Sequence, residues 1–390
     1  MTLDFQQLLK QVKQLGENAR ARQHELEDRR EKARELLRHY ASQADALSRK
    51  VQAVVQSHDP TLRCALPNHE PLNGHFPLPP LPDQATVLAA DGSQINPDRH
   101  AEVNYALINV GAICMLHNSP ENPHTYVQTQ LLYEEDAQAI SEATLALRRD
   151  LNERRMLAEL AEGAAPPVLS FTDGPMELWG ARDAGGEEAS QYQKSLAEYL
   201  AVLSRLHELG VATAGYVDKP AANLALRLLE VACTPENELA DIRNHRPLQG
   251  VTDLDLFTGL LDTGERSAVF GIQSQAARSY RDELALHFFY LNAGRPGERW
   301  LARVEIPAWV AEDQTMLDNL HAILVKQCQM TGVRPYPYLL HRAHETAVVS
   351  LQEKEQVTQM IVAELRRRGV PVGKRSHKQS AKDLPGRTRL

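Results

Sequence analysis

Two short stretches constrain this chain more than any others. Residues 86–93 read TVLAADGS, and residues 168–174 read VLSFTDG. Each is a short apolar run that breaks at Asp-Gly. Such a run, bounded by a turn signal, is the pattern of a strand buried on both faces. Asp91 and Asp173 then stand at the ends of two buried strands. If those strands share a sheet, the two carboxylates meet at one edge. Paired carboxylates offer the oxygen ligands that Mg²⁺ or Mn²⁺ prefer. Asp-Gly is also ordinary turn chemistry, so the pair carries more weight than either stretch alone.

The order of elements around these stretches indicates the fold. Residues 1–57 read as one or two long helices, apolar at Leu8, Leu9, Val12 and Leu15 and then heavily charged. Opposite charges at helical spacing support such a helix, but it is too polar for a core. It is expected to be an arm for another helix or subunit, or else to pack on its own domain. Residues 58–84 are rich in proline and are expected to form a linker without regular helix or central strand. After the first Asp-Gly strand come apolar runs at 103–110 and 112–116, joined at Gly111. They predict a hairpin or one longer bent strand. A further strand, a helix ending before Pro166-Pro167 and the second Asp-Gly strand follow. Helices and strands then alternate, with a strand ending near Lys219 and a long helix after Pro335 and Pro337. Antiparallel strands first and helix-separated strands afterwards predict an α/β fold, an RNase H-like mixed sheet flanked by helices. It would occupy residues 85–368, leaving a basic tail at 369–390.

Composition narrows the function classes. A formal net charge of -8 argues against a surface basic throughout, although a local basic strip suffices for nucleic acid. Lys374, Arg375 and Lys378 in the tail are such a strip. The four cysteines, Cys64, Cys114, Cys233 and Cys328, form no CxxC pair. That argues against a zinc site and a disulfide framework, and a reducing cytoplasm is the expected compartment. The N-terminal residues lack a signal-peptide core, and no run is long enough to span a bilayer.

A metal site of this kind needs a third carboxylate. Glu153, on the helix before the second Asp-Gly strand, is the chosen candidate, with Glu135, Glu142 and Glu159 as rivals. Residues 336–345, YPYLLHRAHE, form a second cluster. His341 and His344 lie three apart but lack the Glu of a zinc-protease HExxH motif. One histidine with a nearby tyrosine suits proton transfer or phosphate contact better. Packing and capping are the plain alternative for both.

These pieces, ADGS at 90–93, TDGP at 172–175, RVEIPAWV at 303–310 and YPYLLHRAHE, occur in the order of the NurA nuclease family, which the chain resembles from about Val87 onward. The resemblance implies a manganese-dependent nuclease, with Mg²⁺ as the other candidate metal. It implies single-strand endonuclease and 5′-to-3′ exonuclease activity on DNA. A homodimer working with a HerA-type hexameric ATPase in DNA end resection and repair is implied too. By the same resemblance Asp91, Glu153 and Asp173 hold the metal, and Tyr336 and His344 complete the site. Lys219 matches a basic position and is a candidate phosphate contact. The alternative is a catalytically silent DNA-end or ATPase-binding adaptor with the same fold.

Overall fold

The computed structural model describes residues 3–98, 101–133, 141–180, 186–332 and 334–372. The chain divides into two compact units. One comprises Met1–Pro80 and Val217–Pro335, the other Leu81–Tyr216 and Tyr336–Leu390.

The first unit begins with helices α1 (Phe5–His39) and α2 (Ala44–Ser57). Asp4 caps α1 by accepting from the N–H groups of Gln6 and Gln7. The apolar residues at its start, Phe5, Leu8, Leu9, Val12 and Leu15, are exposed. Its second half is seated on the unit. Ala33 and Leu37 are buried, Arg30 pairs with Asp255 at 2.7 Å, and the Tyr40 hydroxyl donates to the Ala232 carbonyl. Leu47, Val51 and Val54 are buried in α2, and spacings of three and four put them on one face. The segment therefore changes character along its length, from exposed stripe to packed helix.

The proline-rich stretch contributes two short strands, β1 (Cys64–Pro67) and β2 (His75–Phe76). β1 is the end strand of this unit's sheet and pairs with β9 (Phe270–Gln273). β2 pairs with β8 (Arg266–Ser267). Proline tolerates such short, peripheral pairings because few ladder donors are needed. The sheet continues through β10 (Leu286–Asn292) to β11 (Leu301–Pro307), with helices α5 (Leu224–Cys233) and α6 (Gln314–Met330) in the same unit. Phe257 stacks on Tyr290, and Phe270 on Phe288, in its core.

The second unit holds β3 (Ala85–Ile95), β4 (Tyr105–His117), β5 (His124–Tyr133), β6 (Val168–Asp173) and most of β7 (Ala212–Asp218). Their order is β7-β6-β3-β4-β5. β3, β4 and β5 form an antiparallel meander, and β6 and β7 add in parallel. Helices α3 (Glu142–Ala161) and α4 (Glu187–Glu208) make the connections. This is the RNase H-like mixed sheet that the element order predicts. Val87, Leu88, Ala89 and Ala90 are fully buried, as a strand covered on both faces requires.

One local expectation is resolved and another is corrected. Of the two readings of residues 103–116 the single longer strand, β4, holds, and no hairpin turns at Gly111. Its missing side chain serves an approach instead of a turn. A Cβ there would stand 2.7 Å from the Ala347 nitrogen and 2.9 Å from the Ala343 carbonyl oxygen. The long C-terminal helix is two helices, α7 (Tyr338–Ala347) and α8 (Leu351–Arg367). Ser350 and Glu353 form a capping box that starts α8 afresh. Among the described residues no helix is long and apolar enough to cross a membrane.

Candidate active site

The site forms where the burial of β3 relaxes. Ala90 is fully buried, and the next side chain, Asp91, is 16% exposed. Neighbouring strand residues point to opposite faces. Asp91 is the register partner of Gly111, whose bare backbone admits α7 on that face. The C-terminal end of α7 is held by its Ala347 carbonyl, which accepts from Ser93 Oγ at 2.5 Å and from Asn109 Nδ2 at 2.8 Å. One turn earlier, His344 Nδ1 lies 2.6 Å from Asp91 Oδ2. An ionised carboxylate can only accept, so Nδ1 carries the hydrogen and Nε2 of the neutral ring is the acceptor. The His344 side chain is 62% exposed.

Gly92 faces the other way, toward α3. A Cβ at Gly92 would stand 2.5 Å from Arg149 Cγ and 2.7 Å from Glu153 Oε1. The glycine of the DGS stretch therefore makes room for the helix that carries the remaining acids. Asp150 and Glu153 lie three apart on α3 and so share a face. β6 delivers Asp173 at its end. Gly174 then turns the chain with φ +85°, and its N–H donates to the Tyr216 carbonyl. The Tyr336 hydroxyl donates to Asp173 Oδ1 at 3.1 Å, and its ring meets Tyr216 edge-on.

These elements enclose a cavity of about 350 Å³ lined by Asp91, Asp150, Glu153, Asp173, Glu177 and His344, with Arg149 and Arg154 as its cations. Five carboxylates thus face two guanidinium groups. The imbalance is visible in the acids themselves. Burial first, and then Asp150 and Asp91, hold the Glu153 carboxyl well above its ordinary range. Burial also raises Asp150, with Asp91 adding to the effect and Arg149 and Arg154 opposing it. Burial works against the charge on Arg149, but Asp150, Glu153 and Asp91 outweigh it and raise that group's pKa. Arg149 bonds Asp150 at 2.7 Å and approaches Glu153 at 3.5 Å. Among the described residues, no three His, Cys, Asp or Glu side chains are grouped so as to hold a metal ion. Arg149 and His344 contact the acids instead.

Asp91, Glu153, Asp173 and His344 thus line one cavity, and Tyr336 is bonded to one of its acids. Glu142 and Glu159 are not among its lining residues, and Glu135 lies outside the described residues. His341 sits 3.5 Å from Glu345 and is not a lining residue. Lys219 belongs to the other unit, where it takes φ +47° and holds its amine 4.6 Å from the centre of the Trp300 ring. Lys374, Arg375 and Lys378 lie outside the described residues. Sequence reasoning missed Arg149, Asp150 and Glu177. Asp150 carried a usable signal, because it precedes Glu153 by three on the same helix.

A family model described as the NurA domain matches residues 85–349. The fold is similar to that of the NurA nuclease from Sulfolobus solfataricus, at 11% identity and a TM-score of 0.49, covering 75% of this chain and 87% of that one. It is similar to human endonuclease V at 14% identity and a TM-score of 0.31, covering 71% and 85%. It is also similar to Ciona intestinalis endonuclease V, solved with an inosine-containing DNA, at 10% identity and a TM-score of 0.31, covering 70% and 87%. A search of curated protein sequences finds no match.

Proposed function

Because this chain belongs to the NurA family, we propose that it is a metal-dependent DNA nuclease that cuts single strands internally and degrades DNA from 5′ to 3′. The observation that carries the reading is the convergence of Asp91, Asp150, Glu153, Asp173 and His344 on one cavity inside the matched domain. The donor chemistry fits a hard divalent cation, Mn²⁺ or Mg²⁺, because like-charged oxygens crowded in a partly buried site are relieved by positive charge. Asp91, Glu153 and Asp173, which are not grouped for a metal in this structure, would have to draw together to hold it. When bound, such a cation supplies charge to a phosphate and acidifies a coordinated water.

The chain's own groups supply the rest. Asp91 fixes the His344 tautomer, which leaves Nε2 to take or return a proton at a phosphate oxygen or a water. Tyr336 orients Asp173 through its hydroxyl. Arg149 keeps Asp150 and Glu153 together on α3. The family supports a wider assignment as well: a homodimer acting with a HerA-type hexameric ATPase in DNA end resection and repair, in the cytoplasm.

The test is cleavage of 5′- and 3′-labelled single- and double-stranded DNA with Mn²⁺, with Mg²⁺ and with chelator. Cleavage is expected with metal and absent with chelator, with the 5′ label released first from ends. Asp91→Ala should lower the rate on the order of 10³-fold without lowering the melting temperature. Cleavage that survives chelation or the Asp91 change would sink the assignment. DNA binding without cleavage would leave the adaptor in its place.

A further inference from the structure

The loop after Asp173 presents a tryptophan at the rim of the acidic cavity. Residues 174–180 read GPMELWG. Two of its apolar side chains point inward, Met176 fully buried and Leu178 only 4% exposed. Two buried tyrosines of α4 grip its backbone. The Tyr199 hydroxyl donates to the Met176 carbonyl at 2.9 Å, and the Tyr192 hydroxyl donates to the Leu178 carbonyl at 3.3 Å. At the exit, a Cβ on Gly180 would stand 2.7 Å from the Tyr192 ring and 2.9 Å from Leu147. The loop is therefore fixed on both sides of residue 179. Yet Trp179, which lines the cavity beside Glu177, is 59% exposed.

A large exposed aromatic side chain on a backbone already held by its neighbours needs no ordering of the loop to meet a ligand. Its surroundings are acidic, so it does not attract the phosphate itself. Its π-face suits the uncharged, flat part of a nucleotide, because base stacking is tolerant of sequence and needs no charge. In a duplex both faces of a base are covered by neighbours, and uncovering one requires unstacking. We propose that Trp179 is a stacking platform for a nucleobase next to the phosphate in the acidic cavity, and that it biases the site toward single strands and frayed ends. This rests on the nuclease reading above.

The experiment uses the full chain with Mn²⁺ and labelled oligothymidylate, single-stranded and as a duplex. Trp179→Ala is expected to raise KM on the single strand about tenfold, within the range of one lost base stack. The effect should fall on KM more than on kcat, and Trp179→Phe should restore most of it. Melting should not change, since the side chain is exposed. A second measurement uses protein carrying Asp91→Ala to suppress cutting. Oligothymidylate should quench its tryptophan emission, and adding Trp179→Phe should remove that quenching. An unchanged KM, a loss confined to kcat, or equal losses on single strand and duplex would overturn the platform while the nuclease stands. If the unsubstituted protein neither binds nor cuts DNA with any metal, the nuclease reading falls and the platform with it.

Discussion

Glu153 and Asp253 are both buried carboxylates, one in each unit, and the molecule surrounds them in opposite ways. Asp253 is fully enclosed and faced by donors. The N–H groups of Ala225 and Leu226, in the first turn of α5, each donate to it at 2.9 Å, and the Tyr290 hydroxyl donates at 2.8 Å. Glu153 is faced by Asp150 and Asp91, with Arg149 at 3.5 Å. Burial is the first cause of a raised pKa in both. In Asp253 the donors oppose it and the group is held at about 6; in Glu153 the neighbouring acids add to it. An acid saturated by donors completes a helix end and asks for nothing more. An acid crowded by acids is left with a charge imbalance that an external cation can relieve. Burial alone therefore does not separate a structural carboxylate from a functional one. The identity of the neighbours does.

The sharpest way to break this comparison is to neutralise Glu153. Glu153→Gln should reduce DNA cleavage on the order of 10³-fold, ~4 kcal/mol in the barrier, while thermal melting stays level or rises because a crowded charge is gone. A substantial fall in melting temperature with activity retained would reverse the two roles. The opposite result is expected from Asp253→Ala, which strands two helix N–H groups and a phenol in the interior. Chemical denaturation should show a loss of about 4 kcal/mol, with little change in activity per folded molecule.

A subtler effect concerns pH. Asp253 is protonated in both folded and unfolded chains below about pH 4, where unfolded carboxyls begin to ionise. Between there and its folded value of about 6, the unfolded chain gives up its proton first, so folding loses stability as pH rises. Above that value both forms are ionised and the slope ends. The loss across this window is about 3 kcal/mol. Denaturation curves should show that Asp253→Asn removes its share, while Asp150 and Glu153, also raised, continue to act in the same direction. A slope unchanged by Asp253→Asn would mean that the donors around it do not leave it raised.

The legible parts of this molecule were those whose signal is local. The apolar runs ending in Asp91 and Asp173 are readable because a strand buried on both faces leaves a continuous pattern in sequence. The Ser350–Glu353 capping box is equally local and could have divided α7 from α8. The illegible parts depend on what arrives from far along the chain. Gly111 looks like a turn because glycine favours turns, whereas its role is set by Ala343 and Ala347, more than 230 residues away. Asp150 has its spacing from Glu153 as a hint in RRDLNERR, but only the packing of α3 over Gly92 sets Arg149, Asp150, Glu153 and Arg154 at the cavity and leaves Arg155 exposed. Trp179 needed the two tyrosine grips to be seen as held outward.

Gly92 and Gly111 together have a mechanical consequence. They strip opposite faces of adjacent strands to bare backbone beside Asp91, so α3 and α7 come close against the sheet there. A methyl group on either side would act as a shim. It would spread the acids of the helix, or the histidine of the other helix, away from Asp91 without altering any of them. The spacing of the site is thus gauged by two absent side chains as much as by the residues that line it.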